Sequence, residues 1–259
     1  HAVAGGAVLA FGGNMSDLFS LAAALLLAAV LAFGHWVHLA GGRGRRDAVS
    51  AAAGISVAYV FIDVLPELGA RQQAFLATIA GRAVLFPQFR GYLAALAGFV
   101  AFYGLEKMVL ATRTEALDLG HQHGESLRIF RVQITGFAAY SALIGYLLVE
   151  RAEKGPLSLG LYTFAMALHF FVTDHSLARE HGARYLTTGR WVLAAAVLIG
   201  WTVGVLVPLP VGVMVVLFGF IAGGVVINSV KGELPEEGEG RFWPFLAGAA
   251  GYALLLMLA

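Results

Sequence analysis

The stretch AYVFIDVLPELGA, residues 58–70, carries two carboxylates, Asp63 and Glu67, near the end of an apolar run. An Asp at mid-bilayer costs about 3 kcal/mol on insertion scales, so such residues face protein or water and mark ion or proton paths. At i and i+4 the two acids share a helix face, and Ser56 and Tyr59 extend roughly the same stripe. Pro66, between them, weakens the helix ladder and opens a backbone carbonyl. Two carboxylates and a freed carbonyl are the oxygen ligands that a divalent cation prefers. The alternative is structural: Glu67 at the outer interface, with Asp63 paired to an Arg.

A second stretch, ALHFFVTDHSLAREHG, holds His169, Asp174 and His175 within seven residues. Neutral imidazole is the commonest metal ligand, and a neighbouring carboxylate fixes its tautomer. On a helix His169 shares a face with Thr173, while Asp174 and His175 lie away from it. The spacing is not that of a single-helix zinc motif such as HExxH. A third stretch, GGVVINSVKGELPEEGEG, offers Asn228, whose amide oxygen can ligate a cation or bridge helices, and Glu233 one turn after Ser229. The expected metal-ligating set is therefore His169, Asp174, His175, Asp63, Glu67, Asn228 and Glu233. His121 and His123, in HQHGE, add a two-histidine loop.

The elements that must position these residues are membrane helices. The chain is 259 residues long, 59% hydrophobic and 13% charged, about half the charge of a soluble domain. A net charge of +1 gives no basis for a nucleic-acid partner, and the absence of cysteine removes disulfides and thiolate ligands. Apolar runs of about 20 residues predict eight spans, roughly 17–39, 48–68, 91–111, 131–150, 157–178, 190–208, 211–232 and 242–258. Residues 1–16 read as an N-terminal extension, native or artificial, with no basic region to suggest a cleavable signal. Residues 17–259 form a single transmembrane domain with a polar loop at 112–130. Twelve of the seventeen Lys and Arg residues fall in the odd-numbered loops, which places those loops, including 112–130, in the cytoplasm and both termini outside.

These segments resemble the ZIP (Zrt/Irt-like) divalent-metal transporters. AAAGISVAYVFIDVLPEL is similar to that family's second helix, with Asp63 at its histidine position and Pro66 and Glu67 matching. LAGFVAFYGLEKMVL resembles the third helix, FIAGGVVINSVKGELPEE the seventh, and HQHGE falls in the family's histidine-bearing loop. The departures lie on spans four and five. Tyr140 and Ile144 stand at the family's ligand positions on the fourth, and Phe170 and Thr173 stand beside the retained His169 where Glu and His belong.

The resemblance implies an all-α, ZIP-like bundle of eight transmembrane helices in a bacterial-type inner membrane. It implies alternating-access transport of zinc, manganese or iron(II), with the divalent cation as substrate and any retained site in a rearranged shell. The lipid bilayer and the cation are the expected partners, with a homodimer left open. Two other readings stand beside it. One is a ZIP-fold sensor or partner protein without transport. The other is an intramembrane metal-dependent hydrolase using His169, Asp174, His175 and Ser176.

Overall fold

A computed structural model describes residues 15–34, 43–79, 86–118, 127–233 and 241–258, and the description below is of these. They are helical almost throughout: α1 (Met15–Phe33), α2 (Arg43–Tyr59), α3 (Leu65–Thr78), α4 (Arg90–Asp118), α5 (Leu127–Glu153), α6 (Pro156–His181), α7 (Arg190–Leu206), α8 (Val211–Glu233) and α9 (Phe242–Leu258). A π-helical turn, Val60–Val64, joins α2 to α3 without a break, so the described residues form eight rods. Five are long and apolar enough to cross a membrane, and large side chains such as Leu96, Ile199 and Leu254 are exposed along the rods. The chain is an integral membrane protein, with its apolar surface turned outward as a lipid solvent requires.

The second rod runs to Thr78, ten residues past the apolar run that predicts it, and local chemistry explains both its extension and its π turn. Pro66 has no N–H, and its ring clashes with the carbonyl four residues back in a regular α-helix. Widening the turn relieves the clash: the Leu65 N–H bonds the Val60 carbonyl, five residues back. The rod then continues because the charges that end the apolar run, Glu67 and Arg71, are neutralised by ion pairs instead of reaching water. Between α4 and α5, helix extends to Asp118 and resumes at Leu127, which shortens the expected loop; His121 and His123 lie outside the described residues.

Packing divides the rods into two groups. α5 lies against α7, and α1 against α5, α6 and α7; α4 lies against α8, α2 against α9, and α3 against α8, while α2 also packs on α6 and so joins the two groups. Glycines make the tightest of these seams. A Cβ on Gly200 of α7 would collide with the Ala142 carbonyl of α5, and one on Gly223 of α8 with the Ala95 carbonyl of α4. Likewise Gly54 of α2 faces the Phe245 carbonyl of α9. Between helices in lipid, van der Waals packing supplies the attraction, and small residues let backbones approach close enough to gain it. The result is one group of α1, α5, α6 and α7 and another of α2/α3, α4, α8 and α9.

Side-chain hydrogen bonds reinforce each group. In the first, Trp201 of α7 donates to Ser20 of α1 at 3.0 Å, and Tyr162 of α6 to the Ile144 carbonyl of α5 at 3.2 Å. In the second, Gln72 of α3 donates to the Pro87 carbonyl at 2.6 Å and accepts the Gly91 N–H at 2.8 Å. The seam glycines make a direct prediction. Gly200→Ala and Gly223→Ala destabilise the protein by about 1–3 kcal/mol through overpacking. Gly251→Ala, where nothing lies within 4 Å, shifts stability by less than about 1 kcal/mol. Denaturation midpoints in one detergent check the contrast.

Candidate functional site

Asp63 lies inside the π turn, with Glu67 and Arg71 on the next turns of α3. Opposite them, the end of α5 and its turn into α6 present Glu150, Arg151 and Lys154. Positive φ at Gly155 (118°) reverses the chain there, and Pro156 then starts α6. The two sets interlock across the boundary between the helix groups. Arg151 Nη2 donates to Asp63 Oδ2 at 2.8 Å, and Lys154 Nζ donates to Glu67 Oε1 at 2.5 Å. Arg71 bridges the acids of both groups: its Nε is 2.9 Å from Glu67 Oε1, and its Nη2 donates to Glu150 Oε1.

Aromatic faces close the surroundings. Arg151 lies over the Tyr162 ring, 5.4 Å from its centroid, and Arg71 over Phe218 at 4.5 Å. Tyr59 packs edge-on to Tyr162, with centroids 6.2 Å apart, and also meets Tyr252 of α9. The Tyr252 hydroxyl crosses between the groups at the same level, donating to the Leu161 carbonyl of α6 at 2.9 Å. The Arg151 side chain is only 6% exposed and Asp63 27%. Charges this far from water need good partners, and removing one partner of such a pair leaves the other stranded.

His169 is buried about 10 Å further along α6 than Tyr162, at 1.5 Å per residue. Its Nε2 is 3.3 Å from the Tyr140 hydroxyl of α5, and that ring in turn packs on Phe102 of α4. Tyr140 is therefore the residue that meets His169.

Asp174 is buried on a different side of α6. Its Oδ1 accepts the Tyr185 hydroxyl at 2.7 Å, and its Oδ2 lies against Gly34 at the end of α1. Tyr185 opens a second π-helical turn, Tyr185–Gly189, that leads into α7. Beyond it, His181 Nε2 lies 2.7 Å from Gln133 Oε1, and Gln133 donates to Glu180 at 2.8 Å. Ser176 faces Glu180 at 3.4 Å.

The sequence-expected residues thus fall into separate places. Asp63 and Glu67 come together in the interlocked network, whereas His169 and Asp174 stand at different depths and on different faces of α6. His175 is half-buried on that helix. Asn228 and Glu233 belong to α8, but their side chains lie outside the described set. Among the described residues, no three His, Asp or Glu side chains converge in a group that could hold a metal ion.

Sequence reasoning named Asp63, Glu67 and Tyr59 and offered an Arg beside Asp63 as its alternative, which Arg151 fulfils. It did not single out Arg71, Glu150, Arg151 and Lys154 as the partners, and it missed Tyr162 and Tyr252. A signal was present: Glu150, Arg151 and Lys154 interrupt the end of one apolar run just as Asp63 and Glu67 interrupt another. Compared with protein-family models and with curated proteins, the chain matches none.

The geometry predicts strong coupling between Asp63 and Arg151. Arg151→Met alone destabilises the protein by about 2–4 kcal/mol by stranding the Asp63 charge. Adding Asp63→Leu, which removes that charge too, restores most of the loss. Equal or additive losses in a double-mutant cycle contradict the pairing.

Proposed function

We propose that this protein is a ZIP-like carrier of divalent metal cations in a bacterial-type inner membrane. It works by alternating access, and the α1/α5/α6/α7 group moves relative to the α2/α3/α4/α8/α9 group. The observation that carries the reading is the interlocked network of Asp63, Glu67, Arg71, Glu150, Arg151 and Lys154, which ties the two groups at the end where α5 turns into α6. By the distribution of Lys and Arg, that end faces outward, eight spans cross the membrane and both termini lie outside. The arrangement then corresponds to a carrier closed on its outer side.

In this reading the ion pairs are exchangeable. A divalent cation approaching from outside competes with Arg151 and Lys154 for Asp63 and Glu67, whose carboxylate oxygens suit it. Displacing the basic side chains loosens the tie between the groups and opens the way inward. The imidazole of His169 waits deeper in the bundle, at the boundary where Tyr140 and Phe102 meet. His175 and Asp174 follow on the same helix toward the cytoplasmic side, and Asn228 and Glu233 stand on α8. Because the expected ligands stand apart in the closed arrangement, a complete metal shell forms only as the groups move. The carrier repertoire offers a precedent in kind, since helix groups that rock about a central site perform alternating access in other transporters.

One observation favours a second reading, a ZIP-like sensor or partner protein without transport. Asp63 already has a cation in Arg151, and His169 already has a partner in Tyr140. Uptake by reconstituted protein separates the two. The carrier reading expects zinc, manganese, iron(II) or cadmium to enter proteoliposomes, with His169→Ala and Asp63→Asn each lowering the rate at least about tenfold. Folded protein that takes up none of these metals supports the second reading.

A further inference from the structure

A cavity of about 500 Å³ opens beside the interlocked network, between α3, α5, α8 and the turn that joins α7 to α8. That volume is ample for a small organic ligand. One wall is charged: Glu67, Arg71, Glu150, Glu153 and Lys154. The other is apolar, with Leu209, Met214 and Val215. The turn that carries Leu209 is fixed in place, because the Tyr146 hydroxyl donates to the Val207 carbonyl at 3.0 Å and accepts the Leu209 N–H at 3.1 Å. The pocket is therefore preformed on that side.

The charged wall is unbalanced. Three carboxylates face two basic groups, and both basic groups are already engaged: Arg71 with Glu67 and Glu150, Lys154 with Glu67. Glu150 Oε2 has no hydrogen-bond partner among the described residues, and exposed Glu153 forms no ion pair with them. The surplus is one negative charge beside an apolar surface. An anion would have to displace carboxylates from Arg71 and Lys154, whereas a cation meets the uncommitted carboxylate of Glu153, with the surplus charge of Glu150 behind it. A bare metal ion would leave the apolar wall unused.

We propose that this cavity is a binding site for an ammonium group carried on an apolar body. The ammonium lies against Glu153, beside Glu150, and the apolar body lies on Met214 and Leu209. The ligand is either a free alkylamine or the amino headgroup of a lipid. Either one bridges α5 and α8, which belong to different helix groups, and so holds the groups together.

The test uses the full chain in phosphatidylcholine nanodiscs, with n-octylammonium, n-octanol and n-octanoate as probes in calorimetric titration. Octylammonium is expected to bind saturably at one site per chain, with octanol and octanoate giving no saturable heat. Glu153→Gln, an exposed change outside the interlocked network, is expected to weaken octylammonium about fivefold. Met214→Ser is expected to weaken it as well. Nanodiscs that contain phosphatidylethanolamine distinguish the sources: weaker apparent affinity for octylammonium there identifies the lipid headgroup as occupant, and unchanged affinity identifies the free amine. Equal heats from octylammonium and octanol, or an unaltered affinity in Glu153→Gln, overturn the proposal.

Discussion

The structure depends on neutralising charge where water is scarce. Six ionisable side chains sit at one end of the bundle, and several are mostly buried: Arg151 is 6% exposed, Arg71 11% and Glu67 19%. An isolated charge in such a place is expensive, so each must find an opposite partner. The partners come from distant parts of the chain, Asp63 to Arg71 on one side and Glu150 to Lys154 on the other. Helix α5 must therefore end beside the π turn, and the sharp reversal at Gly155 keeps its last residues there. Tyr59, Tyr162 and Tyr252 then wall the network with aromatic rings, which accept the face of a guanidinium and exclude lipid.

The same molecule uses two kinds of helix contact, and the difference has mechanical content. Within each group, glycines set backbone against backbone, and such seams have no room to slide without collision. Between the groups α2 packs on α6, and at the α5–α6 end the contacts are ion pairs and tyrosine rings. Ion pairs can exchange partners with an incoming cation or with water. The seams inside each group are tight, and the links between the groups at this end are exchangeable.

Much of the membrane architecture was legible in the sequence, because a 20-residue apolar run has few physical alternatives. The starts of α5, α6, α7, α8 and α9 all fall within a few residues of the expected positions. The second rod was misjudged at its far end: hydropathy treats Glu67 and Arg71 as exits from the bilayer, and only the fold shows that each has a partner. The division into two groups was not legible, because helices apolar on every side carry no stripe that names their neighbours. Gly200 and Gly223 were visible as small residues, but their opposite numbers, Ala142 and Ala95, are settled only by topology.

Local spacing also limited the reading of His169, Asp174 and His175. Proximity in sequence suggested a shared site, although five residues along a helix already turn Asp174 away from the face of His169, and the fold keeps the two apart. Their partners, Tyr140 and Tyr185, lie on other helices. The alternative in which Asp63 pairs with an Arg was available from the cost of burying a lone carboxylate. Arg151 could not be singled out among the candidates without the fold.

The central claim is that the ion pairs at the α5–α6 end hold two helix groups together and that breaking them lets the groups part. The chain has no cysteine, so spin labels at Gln73→Cys on α3 and Leu157→Cys on α6 report only the chosen pair. We would measure their distance distribution by pulsed electron paramagnetic resonance in nanodiscs, with and without Arg151→Met. The account predicts one narrow population in the parent and a second, longer population in the variant. Identical distributions in folded parent and variant would contradict it.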